Sequence, residues 1–476
     1  MSYPELSGVL RFFEEISRIP RASGNEGGVI EYLTEFARSR GLEHHVDDAG
    51  NVLIKKAANG SDSAPVVIQN HMDMVAEKIA SSNHDFECDP IELIYDEDIL
   101  RANGTTLGAD NGIGMAMALA VLDSDELKHP SLECVFTISE EIGLIGAGKF
   151  DFAALEGRRY LNLDCEGEGI ATVACAGGVR CDTEFPVSSD TPEIQGRDLK
   201  ITLDGLAGGH SGADIDKRRA NALVMLAELI SKGISAVKDA GASLSVVSFE
   251  GGSKDNAIPR SAVAVIRTDD AEAFLNVLNE AADDRLQYLC DADMLARMSV
   301  TAVPSESKCI GTELLDIMLS MPNGILKMED GMENCVKTSA NLAIVDANEH
   351  GIKVTLSCRS SDEDELDGAI GMVGKVVSDF GGTLTTRGRY PGWAMRKESS
   401  VRPIYGAAVK EVLGMDAEFV SIHAGLECGI VAQKAPDMDM ISFGPVILDM
   451  HSPEETVSLS SVERFAKIVC YMLENM

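Results

Sequence analysis

Histidines and carboxylates recur in this chain where short apolar runs end. His71 and Asp73 stand in H-M-D after Val66-Val67-Ile68, Glu140 and Glu141 follow Val135-Phe136-Thr137-Ile138, and Asp164 follows Leu161-Asn162-Leu163. Asp110 lies in G-A-D-N-G ahead of an alanine- and methionine-rich run, and His451 lies in M-H-S-P-E-E. Imidazole nitrogens and carboxylate oxygens are the donors that borderline divalent metals such as zinc accept, and one carboxylate is available to bridge two ions. The set predicts a two-metal hydrolase whose ligands sit at strand ends, the edge where open α/β sheets hold their ligands.

Each piece also has an ordinary reading. H-M-D could be a polar turn, Asp110 a helix cap, the Glu140-Glu141 pair a solvated surface, and the His451 segment a loop with a helix start. The chemistry argues for more. Alternate strand positions project to one side, so Asp73 can hold the ring of His71 in one tautomer. Adjacent glutamates at a strand end point different ways, so one can bind metal while the other holds a proton. An acid closing a buried strand, as Asp164 does, needs a partner to offset its desolvation. The glycines around Asp110 are followed by no G-K-[ST], which removes a phosphate loop.

The elements that must position these groups fall into blocks. A chain of 476 residues exceeds what one core usually organises, so two domains, possibly interleaved, are expected. Up to about residue 177, strand-like runs alternate with helical patterns at 6–16, 28–39 and 112–122, which predicts an α/β sandwich with a mostly parallel sheet. Ala176-Gly177-Gly178 and the polar stretch 188–192 read as a boundary. Strand 199–203, helix 221–232, strands 243–249 and 261–267, helix 271–289 and strand 298–303 then make a ferredoxin-like β-α-β-β-α-β unit. Helix 313–320, strands 336–345 and 352–358, helix 363–380 and strand 383–386 read as a degraded second copy. After Pro391-Gly392-Trp393 come a helix at 401–413, a strand before His423, and the segment with His451. Since His451 should join ligands from the first third, the middle is read as an α+β insertion. The expected domains are 1–177 and 393–476, catalytic, and 178–392, an inserted lid.

Composition excludes other classes. Forty-one basic against 77 acidic residues give a net charge of −36, which repels phosphate backbones, so nucleic acid is not expected as a partner. Eleven cysteines without a C-x-x-C pair indicate neither a disulfide framework nor a thiolate zinc site, and suggest a reducing compartment. The first residues lack a basic leader, and the apolar run at 112–122 is too short to span a bilayer, so a cytoplasmic protein without a membrane partner is expected.

Taken in order, H-M-D-M-V, G-A-D-N-G, E-E, L-D and M-H-S-P-E resemble the aminoacylase/carnosinase-like family of dinuclear zinc peptidases. Within it, I-P-R-A-S-G-N-E, G-G-H-S-G, D-N-A-I-P-R, C-R-S-S-D and H-A-G-L-E-C-G resemble the cytosolic aminoacyl-histidine dipeptidases nearly end to end. The resemblance implies two zinc ions per chain, with Mn2+ or Co2+ able to substitute. His71, Asp110 and Asp164 would hold one ion, and Asp110, Glu141 and His451 the other. It makes Glu140 the general base, Asp73 the residue orienting His71, and His210 in G-G-H-S-G an oxyanion donor reaching a neighbour's site across a homodimer built on the inserted domain.

Asn256 and Arg359 become candidates for the substrate's carboxylate, which an arginine fork matches bidentately. His423 and Glu427 in H-A-G-L-E-C-G are candidate substrate contacts, although this loop departs from the Gly-Ser/Thr loop of more distant relatives and could be a turn closing the cleft. The implied activity is hydrolysis of small Xaa-His peptides, including β-alanyl-histidine. A broader dipeptidase, a tripeptide aminopeptidase or an acylase of the same fold is the near alternative, and a non-catalytic metal-binding protein the distant one. Glu140 beside a ligand glutamate speaks against the last, because binding alone has no use for a base.

Overall fold

The computed structural model describes residues 6–188, 191, 194–239, 241–304, 307–329 and 335–476. Residues 1–5 and most of the 188–192 stretch lie outside them. The chain forms two compact units, residues 1–174 with 393–421 and 426–476, and residues 175–392 with 422–425.

The first unit is built on an eight-stranded sheet. Its centre is parallel: Leu132–Thr137, Val66–His71, Arg159–Asn162 and Asp439–Ser442 lie side by side in that order. Such strands, covered on both faces, read as continuous apolar runs, as Val66 to Ile68 do. Alternation sends Val66 and Ile68 into the main core with Phe12, Phe13, Leu119 and Phe465, and Val67, Gln69 and His71 to the opposite face. The helix Ala109–Asp123 has no polar face, and every residue from 111 to 122 is buried. A helix apolar all round must be enclosed. It approaches the sheet closely at Gly114, where a Cβ would stand 2.5 Å from the carbonyl oxygen of Leu163. A small antiparallel sheet pairs Ile447–Leu448 with Thr456–Ser458, so His451 lies in the connection between two paired strands. Among the described residues no helix is long and apolar enough to cross a membrane.

The second unit carries a nine-stranded antiparallel sheet covered by the helices Ala222–Asp239, Ala271–Leu286, Glu313–Ser320 and Glu363–Asp379. The expected β-α-β-β-α-β unit runs from Arg197–Asp204 to Arg297–Val303. The second copy is completed by a strand that the pattern after residue 198 does not contain, Gly177–Phe185. Its buried Val179, Cys181, Thr183 and Phe185 alternate with Arg180, Asp182 and Glu184, the period of a half-buried strand. The first copy is therefore nested inside the second. Their second strands, Leu244–Gly251 and Val336–Asn348, pair edge to edge, so the strand orders of the two halves mirror each other about that seam.

Candidate metal centre and substrate-facing groups

Parallel pairing puts the C-terminal ends of three adjacent strands at one edge, and the chemistry collects there. His71 is the last residue of its strand, Glu140 and Glu141 follow Leu132–Thr137, and Asp164 follows Arg159–Asn162. His71 Nε2 lies 3.1 Å from Asp110 Oδ1 and 3.2 Å from Asp164 Oδ1. His451 Nε2 lies 3.2 Å from Asp110 Oδ2 and 3.1 Å from Glu141 Oε2. The two oxygens of Asp110 thus face different histidines. Asp110 does not cap its helix: its backbone is non-helical and the helix start shows no side-chain cap.

These groups are short of positive charge. Burial pushes the Asp164 carboxyl up to about 7, with Asp110 and Glu141 adding to the rise against His71. Burial also carries Glu140 well above the usual carboxylate range. Hydrogen bonds that His451 donates to Asp110 and Glu141 raise its imidazole to about 11. Burial opposes a charge on His71, yet Asp164, Asp110 and Asp73 raise it well above its ordinary value. Glu141 Oε1 is buried without a hydrogen-bond donor, and the buried Asp164 Oδ1 has only His71 Nε2, at 3.2 Å and outside hydrogen-bond geometry. Ligand atoms of His71, Asp110 and Glu141 lie within 4.8 Å of one another. Two imidazoles, a shared aspartate and orphaned carboxylate oxygens fit divalent cations with nitrogen and oxygen donors.

Asp73, fully buried, organises the neighbourhood. Its Oδ1 accepts the backbone N–H of Glu140 at 2.9 Å, and its Oδ2 accepts that of Glu141 at 3.2 Å and the hydroxyl of Ser23 at 2.7 Å. Burial opposes its charge, but His71, Ser23 and Glu140 hold its carboxyl down at about 2. Glu427, at the start of Glu427–Lys434 in the same unit, is fully buried. It accepts from Gln69 and, at 2.9 Å, from Thr137, and burial lifts it to about 8.

In the second unit, His210 ends the short strand paired with Ala257–Ile258, next to the exposed Asn256. Backbone N–H groups of Gly212 and Ala213 donate to its Nδ1 at 3.2 and 3.0 Å, which leaves the ring proton on Nε2. That nitrogen lies 3.4 Å from Nη2 of the buried Arg359, itself only a donor. Two donors meeting this way call for an acceptor between them. Arg359 Nη1 donates to the Tyr390 hydroxyl at 2.6 Å, and its Nε has no partner. Burial and the nearby guanidinium lower the His210 imidazole and bring that of His423 down to about 3, so both are neutral. His423 Nε2 lies 2.7 Å from Ser339 Oγ.

The structure thus gathers His71, Asp73, Asp110, Glu140, Glu141, Asp164 and His451 in one unit with Glu427, and His210, Arg359 and His423 in the other, with Asn256 at the edge of that second group. Two residues given no role by the sequence reading, Arg21 and Glu455, hold the backbone around Asp110. Arg21 is visible only as part of I-P-R-A-S and Glu455 only as the end of M-H-S-P-E-E, where nothing local points to partners some 345 positions earlier.

The model of peptidase family M20/M25/M40 matches residues 67–475. The cytosol non-specific dipeptidase of Escherichia coli (strain K12) is 31% identical over 470 residues, 97% of this chain and 96% of the relative. The crystal structure of the aminoacylhistidine dipeptidase from Vibrio alginolyticus superimposes with a TM-score of 0.91 at 33% identity, over 99% of this chain and 96% of that one. An aminopeptidase from Bacillus cereus shares the fold at 15% identity and a TM-score of 0.57, over 98% of both chains. A family match reaching across most of the chain, with acids and histidines converging at one sheet edge inside it, means that the protein is a metallopeptidase belonging to peptidase family M20/M25/M40.

Proposed function

We propose that the protein is a cytoplasmic dipeptidase that cleaves Xaa-His dipeptides, including β-alanyl-histidine, with two zinc ions per chain. Mn2+ or Co2+ would substitute. The observation carrying this reading is Asp110, whose two carboxylate oxygens each face a different histidine. His71, Asp110 and Asp164 would hold one ion, and Asp110, Glu141 and His451 the other. When bound, the ions supply Lewis acidity that lowers the pKa of water and polarises the scissile carbonyl. Glu140, a carboxyl kept basic by burial, takes a proton from the attacking water and delivers it to the leaving nitrogen. Asp73 holds the backbone of Glu140 and Glu141 while it orients His71.

His210 Nε2–H donates to the developing oxyanion, and Arg359, with Asn256, takes the substrate's terminal carboxylate. His210 and Arg359 lie 3.4 Å apart, close enough for one small substrate to meet both. His423 and Glu427 remain candidate substrate contacts. The assembly in this reading is a homodimer through the second unit, whose edge strands Arg297–Val303 and Thr383–Tyr390 offer pairing surfaces.

A second reading, a dipeptidase of broad specificity, is favoured by the identity with the non-specific dipeptidase. Turnover of a dipeptide panel by zinc-loaded protein decides between them: kcat/KM highest for Xaa-His members supports the first, and equal values across leaving residues support the second. Turnover of tripeptides or acylated amino acids in preference to every dipeptide would overturn both.

A further inference from the structure

Glu455 is 2% exposed and accepts four successive backbone N–H groups. Its Oε2 takes those of Leu107 and Gly108 at 2.8 and 2.9 Å, and its Oε1 those of Ala109 and Asp110 at 2.8 and 3.3 Å. Free N–H groups at a helix start need acceptors, and a carboxylate complements the dipole there, so stability alone gives this residue a use. Its place in the chain gives it another. Glu455 lies four residues after His451 in the connection between Ile447–Leu448 and Thr456–Ser458. One carboxylate therefore ties the segment bearing His451 to the segment bearing Asp110, whose side chains meet at 3.2 Å.

The other side of the Asp110 segment is held too. Arg21, also 2% exposed, donates from Nη1 to the carbonyls of Met72 and Asp73 at 3.1 and 2.9 Å, and from Nη2 to the carbonyl of Gly108. This joins the Asp110 segment to the residues just after His71, and its charge offsets those of Glu455 and Asp110. Gly108 has φ +69°, and a Cβ there would run into Arg21 and Met74. The backbone between the two histidines is thus gripped from both sides by buried ionic groups.

We propose that Glu455 is a positioning residue: it sets Asp110 against His451 and thereby the affinity of the ion those two share. The proposal rests on the ligand assignment above. Glu455→Gln keeps one acceptor oxygen, but its amide NH2 faces two of the four N–H groups. Glu455→Asp keeps the charge opposite Arg21 and withdraws the oxygens by one methylene, so it also serves should the glutamine variant not fold.

Calorimetric zinc titration of the metal-free full chain is expected to show two ions for the wild type. In either variant the ion held with His451 should bind about 10- to 100-fold more weakly, and the other, which Asp110 also holds, should weaken by a smaller factor. In a His451→Ala background the same substitution should cost much less, because the partner it positions is gone. A folded variant with both affinities at wild-type values, or with both ions weakened alike and the same loss in the His451→Ala background, overturns the proposal and leaves Glu455 a helix-start residue only. A wild-type chain that does not take up two ions overturns the ligand assignment itself, and the proposal with it.

Discussion

One oxygen of Asp73 accepts the backbone N–H of Glu140 at 2.9 Å while it lies 3.4 Å from His71 Nδ1. The same carboxylate thus orients a candidate ligand and places the candidate base. Asp73→Asn keeps the shape but removes the charge. It should cost about 10- to 100-fold in zinc affinity or in kcat/KM, measured by calorimetry and steady-state kinetics. If both are unchanged, the backbone carbonyl of Asp73, 3.2 Å from Nδ1, orients the ring alone.

Glu140→Gln separates proton transfer from metal binding. Metal analysis should give the same zinc content as the wild type, while kcat falls by about 10²- to 10⁴-fold. A metal-replete variant with a wild-type rate would move the base elsewhere.

The dimeric reading makes a complementation forecast. His210 lies in the second unit and Glu140 in the first. Co-refolded His210→Ala and Glu140→Gln chains, each inactive alone, should regain part of the activity, because a mixed dimer contains one site with Glu140 from one chain and His210 from the other. Heterodimers isolated by affinity tags and showing no recovery would place His210 in the service of its own chain.

His423 should leave a mark on stability against pH. Its folded imidazole titrates at about 3 against an ordinary 6.5, so the unfolded chain takes a proton that the folded one refuses. The stability it contributes is complete above pH 6.5 and is lost as pH falls toward 3, at a slope of at most about 1.4 kcal/mol per pH unit. Urea unfolding at pH 7 and pH 5 should show a loss that His423→Asn reduces by up to ~2 kcal/mol. An identical loss in the variant would assign the acid sensitivity to the carboxylates.

What the sequence by itself determined was local in origin. Apolar runs ending in acids or histidine placed His71, Glu140, Glu141 and Asp164 at strand ends, and period-2 and helical patterns drew the β-α-β-β-α-β unit, because burial of one face leaves its period in neighbouring residues. Tertiary structure decided which ends meet. Nothing near Asp110 separates a helix cap from a group shared by two histidines, and only the folding of His71 and His451 onto its two oxygens, from 39 positions before it and 341 after it, makes that choice. The strand Gly177–Phe185 bore an alternating pattern, yet its membership in the second half depends on pairing with Gly351–Ser360 across the nested copy. Glu455 and Arg359 act on partners far away in the chain, with Arg359 and His210 separated by 149 positions. Periodicity reports that a face is buried. Which buried charges share a neighbourhood, and so which need a cation or an acceptor, is settled by packing and long-range electrostatics.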